Sequence, residues 1–147
     1  MGLDMTLTAR QYVSKYFDEE LSTRLNTLAQ ELNFPSGDVN AIEIEAIYWR
    51  KANAIHDWFV RECQGGVDEC QQTYVGREKL LQLKAVCEAV LTNRRDAPKL
   101  LPTASGFFFG STDYDDYYIE DLKSTIQIID DALTLPENWD FEYHSSW

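Results

Sequence analysis

The segment from Tyr48 to Phe59 constrains the fold of this chain more than any other, and its sequence is YWRKANAIHDWF. The spacing predicts a helix with one broad apolar face, since each helical residue turns the side-chain direction by about 100°. Lys51 projects from the middle of that face. An unpaired ammonium is costly to bury, so this lysine needs an anionic or aromatic partner. The apolar members of the face are Ile44, Ile47, Tyr48, Ala54, Ile55, Trp58 and Phe59.

Three accounts of Lys51 are open. Its methylenes can cover apolar surface while the ammonium reaches water. Alternatively, the ammonium can pair with a carboxylate of residues 113–116, or it can bind an anion. We expect a buried stem and an ammonium paired with an acid between Asp113 and Glu120.

Size and composition predict one folded domain that spans residues 1–147. The chain has a mass of 17.0 kDa and is 44% hydrophobic, which suits a single core rather than a disordered segment. Residues 1–10 lack the pattern of a signal peptide, and no stretch has the length of apolar sequence that a membrane span needs. These features predict a cytosolic protein without a membrane partner.

The charge of the chain is strongly negative. It contains 25 acidic and 13 basic residues, for a formal net charge of −12. Such a balance disfavours direct binding to nucleic acid or to an anionic membrane, because like charges repel. It is compatible with a partner protein that presents a basic surface.

Helical spacing of apolar residues predicts an all-α fold. The predicted helices run from Ala9 to Asn33, from Asp38 to about Gln64, and from an N-cap at Gly76 to Asn93. A fourth begins after Ser111 or Thr112 and is stopped by Pro136. We therefore expect a compact bundle of about four main helices. A long loop (residues 94–110) and an aromatic C-terminal tail, with Phe141, Tyr143 and Trp147, are expected to pack on the core.

Several blocks of the sequence resemble a family of small bacteriophage and prophage proteins. They are YWRKANAIH at residues 48–56, LLPT at 100–103, GFFFGS at 106–111 and YHSSW at 143–147. The likeness covers roughly the chain from Ala46 to its end. The resemblance implies an origin in a phage genome rather than a particular activity.

The candidate ligand-binding residues come from the same segment. Trp49, Arg50, Lys51, Asn53 and His56 could form a small-molecule pocket, with Trp49 as a stacking platform and Arg50 or Lys51 holding a phosphate. Aromatic residues at helical spacing are more often core. In that alternative, Trp49 packs under the aromatic tail and His56 caps a loop carbonyl.

Motifs for catalysis, metals and cofactors are weak or missing. Cys63, Cys70 and Cys87 form no CxxC pair, and the spacing of His56 and Cys63 does not suit zinc. Neither Gly-rich phosphate loop is present, and the aspartates after residue 112 lack the spacing of a calcium loop. We predict no metal site, no cofactor and no catalytic residue.

These observations favour binding over catalysis. The resemblance suggests a phage accessory protein in the host cytoplasm, with anti-defence inhibition as a plausible role. One mechanism is an acidic surface that blocks a basic surface on a host protein. The alternative is a pocket that sequesters an anionic, nucleotide-derived immune signal, and a small nucleotide-processing enzyme is a third hypothesis. A homo-oligomer is compatible with all three.

Overall fold

The computed structural model describes residues 2–34 and 36–147, and its fold mixes strands with helices. The strands are β1 (Asp4–Tyr12), β2 (Ala41–Arg50), β3 (Thr73–Val75) and β4 (Trp139–Ser146). The helices are α1 (Glu19–Glu31), α2 (Asn53–Cys63), α3 (Arg77–Thr92), α4 (Ala97–Leu100) and α5 (Asp116–Ala132), with a 3-10 turn at Arg94–Asp96. The expected all-α bundle is therefore wrong.

The four strands form one antiparallel sheet in the order β2-β1-β4-β3. The sequence of β1 explains its role, because Met5, Leu7 and Ala9 alternate with polar residues and are fully buried. Alternation with a period of two places every second side chain on the same face of a sheet. One face of the sheet therefore points into the core.

Two predicted helices are wrong in whole or in part. The helix predicted from Ala9 to Asn33 is the end of β1, a turn and α1, so only its second half is helical. The helix predicted from Asp38 to Gln64 is β2 followed by α2. The two elements are separated at Lys51, whose φ of 57° is left-handed and whose carbonyl accepts the Asn53 N–H at 2.9 Å. This tight turn ends the strand and starts the helix.

The two later helices agree better with the prediction. Helix α3 has Gly76 as its N-cap and Asn93 as its C-cap, which confirms the predicted bounds. Helix α5 starts later than expected, with Asp115 as N-cap, because its carboxylate accepts the Tyr118 N–H at 3.0 Å. The aromatic tail is docked as expected at Phe141 and Tyr143, which are buried in β4, but Trp147 is 53% exposed.

The core lies between one face of the sheet and the helices α2, α3 and α5. Phe59 of α2 stacks on Tyr143 of β4 with ring centroids 4.0 Å apart. The Trp49 indole N–H of β2 donates to the Thr125 hydroxyl of α5 at 2.9 Å. The opposite face of the sheet holds no buried residue among those described and is open to solvent.

The region from Arg10 to Ala46, which we call the arm, contains the end of β1, α1 and the start of β2. Its buried residues, within the described part of the chain, are Val13 and Ser22. Helix α1 is held by its N-cap Asp18 and by the Asn26 side chain, which accepts the Val39 N–H at 2.7 Å. The arm exposes a group of large apolar side chains: Tyr12, Tyr16, Phe17, Leu28, Leu32, Phe34 and Ile44.

Candidate binding surfaces

Two of the predicted ligand-binding residues are held by hydrogen bonds within the fold. Trp49 is buried and donates its indole N–H to Thr125. Asn53 is also buried, and its amide group donates to the carbonyls of Phe109 at 3.0 Å and Ser111 at 2.8 Å and accepts the Ala104 N–H at 3.1 Å. Asn53 therefore fastens the loop of residues 103–111 to the start of α2.

His56 is buried in a chain of polar groups. Its Nε2 lies 2.9 Å from Oδ2 of Asp68, and its Nδ1 lies 2.7 Å from the Tyr143 hydroxyl. Because an ionised carboxylate only accepts, Nε2–H donates to Asp68, and in the neutral imidazole Nδ1 then accepts from the Tyr143 hydroxyl. Burial raises the pKa of Tyr143 above its ordinary range, so the hydroxyl keeps its proton. His56 thus joins α2 to β4 and to the loop before β3, and its partner is a carboxylate rather than the expected carbonyl.

Lys51 does not meet the expectation of an ammonium paired with an acid. The side chain is exposed, and none of the described carboxylates lies within 4.0 Å of its ammonium. Its stem runs past Gly2 and Gly110, where an added Cβ would lie 3.3 Å from Lys51 carbons. The first of the three accounts, a stem on the protein surface and an ammonium in water, is the one the structure matches.

Arg50, Lys51 and Asn53 line one cleft of about 410 Å³, but Trp49 and His56 do not. The five residues predicted from the sequence are therefore not brought together in one concave site. We call this space the α2–α5 cleft, since it lies between the start of α2, the loop of residues 103–115 and α5. Its other polar and aromatic lining residues include Thr103, Ser111, Asp113, Asp115, Tyr117 and Asp121.

The electrostatics of the α2–α5 cleft are mixed. Three aspartates share it with Arg50 and Lys51. Burial, with a smaller contribution from Asp115, raises the pKa of Asp121 to about 6. A phosphate bound there would lie close to several carboxylates as well as to the two cations, which weakens the attraction. The cleft suits a ligand with a cationic group at least as well as an anion.

The loop from Gly106 to Gly110 presents aromatic side chains to solvent. Phe109 is buried against His56, whereas Phe107 is 77% exposed and Phe108 is 47% exposed with a left-handed φ of 62°. The expectation that this loop packs on the core is thus wrong for two of its three phenylalanines. Gly106 is required at its position because an added Cβ would lie 2.5 Å from the Phe109 ring.

The open face of the sheet carries a group of carboxylates that we call the acidic patch: Glu43, Glu45, Asp140 and Glu142. The register places Thr8 between Glu45 and Glu142, with Tyr74 beyond Glu142 on β3. The next row has Arg10 between Glu43 and Asp140. Arg10 forms an ion pair with Glu43 at 3.4 Å, so one cation lies among four carboxylates.

Sequence reasoning missed the acidic patch, although a signal for it was present. Residues 42–45 read Ile-Glu-Ile-Glu and residues 140–143 read Asp-Phe-Glu-Tyr. Such alternation is typical of a half-exposed strand, and it places the carboxylates of each strand on the polar face.

Two of the three cysteine thiols, those of Cys63 and Cys87, are poorly suited to act as nucleophiles. Burial raises the pKa of the Cys63 thiol to about 11 and that of Cys87 to about 12, which opposes formation of a thiolate nucleophile. Among the described residues, no group of three His, Cys, Asp or Glu side chains could hold a metal ion. Across residues 2–34 and 36–147, no helix has the length and apolar character needed to cross a bilayer.

Comparison with known proteins does not assign the chain to a family. No protein-family model matches it, and no curated protein or solved structure is significantly similar to it.

Proposed function

We propose that this protein is a non-enzymatic binding protein that docks the open face of its sheet onto a basic surface of another protein. The acidic patch is the observation that carries the proposal.

The geometry of the patch favours contact with a flat, positively charged surface. Neighbouring strands are about 4.8 Å apart and alternate residues about 7 Å apart, so the four carboxylates span an area of roughly 10 by 7 Å. Within the described part of the chain no helix covers this face, and the exposed Tyr48 and Tyr74 lie beside the carboxylates. Tyrosine supplies amphipathic contact area with little loss of conformational entropy.

The net charge of the whole chain also favours a basic partner. A protein with a charge of −12 attracts a basic partner over distances comparable to the Debye length and raises the rate of association. A basic surface of this kind is typical of proteins that bind nucleic acid. Occupation of that surface by the acidic patch would exclude the nucleic acid.

The biological role that we propose is that of a phage accessory protein. The resemblance of residues 48–56 and 106–111 to phage-encoded proteins supports a host protein as the partner. In this role the protein is an anti-defence inhibitor that acts in the host cytoplasm.

The second candidate function is sequestration of an anionic nucleotide signal in the α2–α5 cleft. Arg50 and Lys51 at the cleft favour this function, and the aspartates of the cleft disfavour it.

The test removes the charge of the patch and leaves the backbone unchanged. One variant carries Glu43→Gln, Glu45→Gln, Asp140→Asn and Glu142→Gln. The matched control carries Glu78→Gln, Glu88→Gln, Asp116→Asn and Glu120→Gln, which neutralises the same number of exposed carboxylates on the helices. Both variants and the parent are used to capture proteins from host lysate.

We expect the parent and the control to retain the same host protein and the patch variant to lose it. Retention should fall as salt increases, because exposed charges are screened. Capture that is equal for all three proteins, or that is lost equally in both variants, would refute docking through the patch. Calorimetry with cyclic and linear nucleotides tests the second candidate, nucleotide sequestration in the α2–α5 cleft. That candidate requires a heat of binding for the parent and none for Arg50→Ala.

A further inference from the structure

Helix α1 carries an apolar stripe whose C-terminal half is exposed in the described structure, while Leu21 and Leu25 in its first half are half-buried. Leu21, Leu25, Leu28 and Leu32 follow each other at spacings of four, three and four residues and therefore lie along one side of the helix. Leu28 is 49% exposed and Leu32, at the C-cap, is 63% exposed. The polar residues Ser22 and Asn26 lie roughly a quarter to a third of a turn away from this stripe, and Asn26 contacts the segment before β2.

We infer that this stripe is the twofold interface of a homodimer, in which α1 packs antiparallel against α1 of a second copy. The reason is that the stripe is complementary to itself. A twofold axis between Asn26 and Thr27 would place Leu21 opposite Leu32 of the second copy and Leu25 opposite Leu28 of the second copy. All four leucines then meet leucines, as an isologous interface requires.

The charges beside the stripe are also self-complementary. Arg24 and Glu31 lie on the same flank of the helix, about two turns apart. In the antiparallel pair, Arg24 comes within about one turn of Glu31 of the second copy. The two helix dipoles run in opposite directions, which removes a repulsion that a parallel pair would have.

The available apolar area is sufficient for a stable dimer. Tyr16 and Phe17 precede the helix and Phe34 follows it, and Phe17 is 94% exposed. A large aromatic side chain buries about 150–250 Å². Together with the leucines, these residues offer roughly 800 Å² per subunit, which is the usual contribution of one partner to a specific interface.

The free edge of β2 is a weaker candidate for the same role. It carries Glu43 and Glu45, and the register with β1 shifts at Ala46, between the pairs Leu7–Ile47 and Thr8–Glu45. Charges and bulges on an edge strand oppose the addition of another strand. The helix therefore offers the better contact, and the inference does not depend on the proposed function.

Sedimentation velocity over a concentration series tests the dimer. The parent should sediment as a species of twice 17.0 kDa at about 100 μM, a concentration at which even a weak interface of this size associates. The variant Leu28→Glu/Leu32→Glu should remain monomeric, with a dissociation constant raised at least tenfold, and should keep the circular dichroism of the parent because both positions are exposed. The control is Leu81→Glu on α3, where the leucine is 52% exposed. It should dimerise like the parent.

Three outcomes would overturn the inference. One is a monomeric parent at every concentration. Another is a dimer that survives Leu28→Glu/Leu32→Glu. The last is a dimer that Leu81→Glu disrupts to the same extent, since general surface hydrophobicity would then explain the association.

Discussion

The arm and the rest of the molecule, which we call the body, contain similar apolar side chains but bury them to very different extents. In the body, helix α2 buries Ile55, Trp58 and Phe59 against the sheet. In the arm, helix α1 has a comparable leucine stripe but buries only Ser22. The difference arises from topology, because α1 lies between β1 and β2 in the chain and, in the described part of the molecule, makes no extensive contact with another helix or strand. Apolar residues of the body stabilise the fold, whereas those of the arm are available to another molecule.

Truncation of one phenylalanine in each region gives the largest expected contrast. Phe59→Ala removes a fully buried ring that stacks on Tyr143, and we expect it to lower the free energy of unfolding by about 4 kcal/mol. Phe17→Ala removes an exposed ring and should change it by less than about 0.5 kcal/mol in the monomer. Urea unfolding at low protein concentration measures both. Equal losses would show that the arm folds as part of the core.

A smaller contrast concerns two asparagines that each fasten a segment. Asn53→Ala leaves two carbonyls and one N–H of the loop without their partner, and we expect a loss of about 2–3 kcal/mol. Asn26→Ala in the arm removes a more exposed contact to Val39 and should cost about 1 kcal/mol. Hydrogen exchange at Ala104 should accelerate only in the first variant. Unchanged exchange there would mean that the loop of residues 103–111 is held by other contacts.

The smallest expected effect on stability comes from the ionisation of Asp121 in the α2–α5 cleft. The pKa of Asp121 is raised from 3.8 to about 6, so the folded state binds a proton more tightly than the unfolded chain. In the folded state the Asp121 carboxyl group is therefore protonated and neutral at pH 4, and its ionisation lowers stability as the pH rises from about 4 to about 6. Asp121→Asn should be neutral at pH 4 and should stabilise the protein by about 1 kcal/mol at pH 7, after allowance for solvent screening.

Urea unfolding at both pH values, with the exposed Asp116→Asn on the same helix as control, measures this difference. A variant of Asp121 that stabilises equally at pH 4 and pH 7 would contradict the assigned titration. A cationic ligand in the cleft would remove the destabilisation, because it would pair with the ionised carboxylate.

The helices of the body were largely predictable from the sequence, and the sheet was not. Helix α3 has a regular apolar stripe between a glycine and a polar residue, so its bounds follow from spacing alone. The apolar residues of β2 and α2, before and after Lys51, fall on one face when the whole segment is drawn as a helix. This coincidence hides the change from the two-residue period of a strand to the 3.6-residue period of a helix. The left-handed turn at Lys51 depends on contacts with Leu3 and Gly110, which are distant in sequence. Spacing within one segment cannot report such contacts.

The candidate site was predictable only in part, for a related reason. Trp49 and Arg50 are neighbours in sequence, but in a strand they point to opposite faces, Trp49 into the core and Arg50 away from it. The sequence marks Lys51 as unusual and Asn53 and His56 as candidate ligand-binding residues, but the roles of Asn53 and His56 come from partners at residues 109, 111, 68 and 143. The acidic patch joins β2 and β4 through β1, so it exists only once the sheet is assembled.

The position of β4 has a consequence for the synthesis of the protein. Strand β4 lies between β1 and β3 and places Ser146 opposite Asp4, so the centre of the sheet joins the first and last strands of the chain. While the chain emerges from the ribosome, β1 can pair with β2, but its other edge stays open until residue 146 has been translated. Contacts between residues so far apart in sequence also slow folding. The pairing of β1 with β4 therefore follows translation of β4, and until then the open edge of β1 leaves backbone groups accessible to chaperones and to other chains.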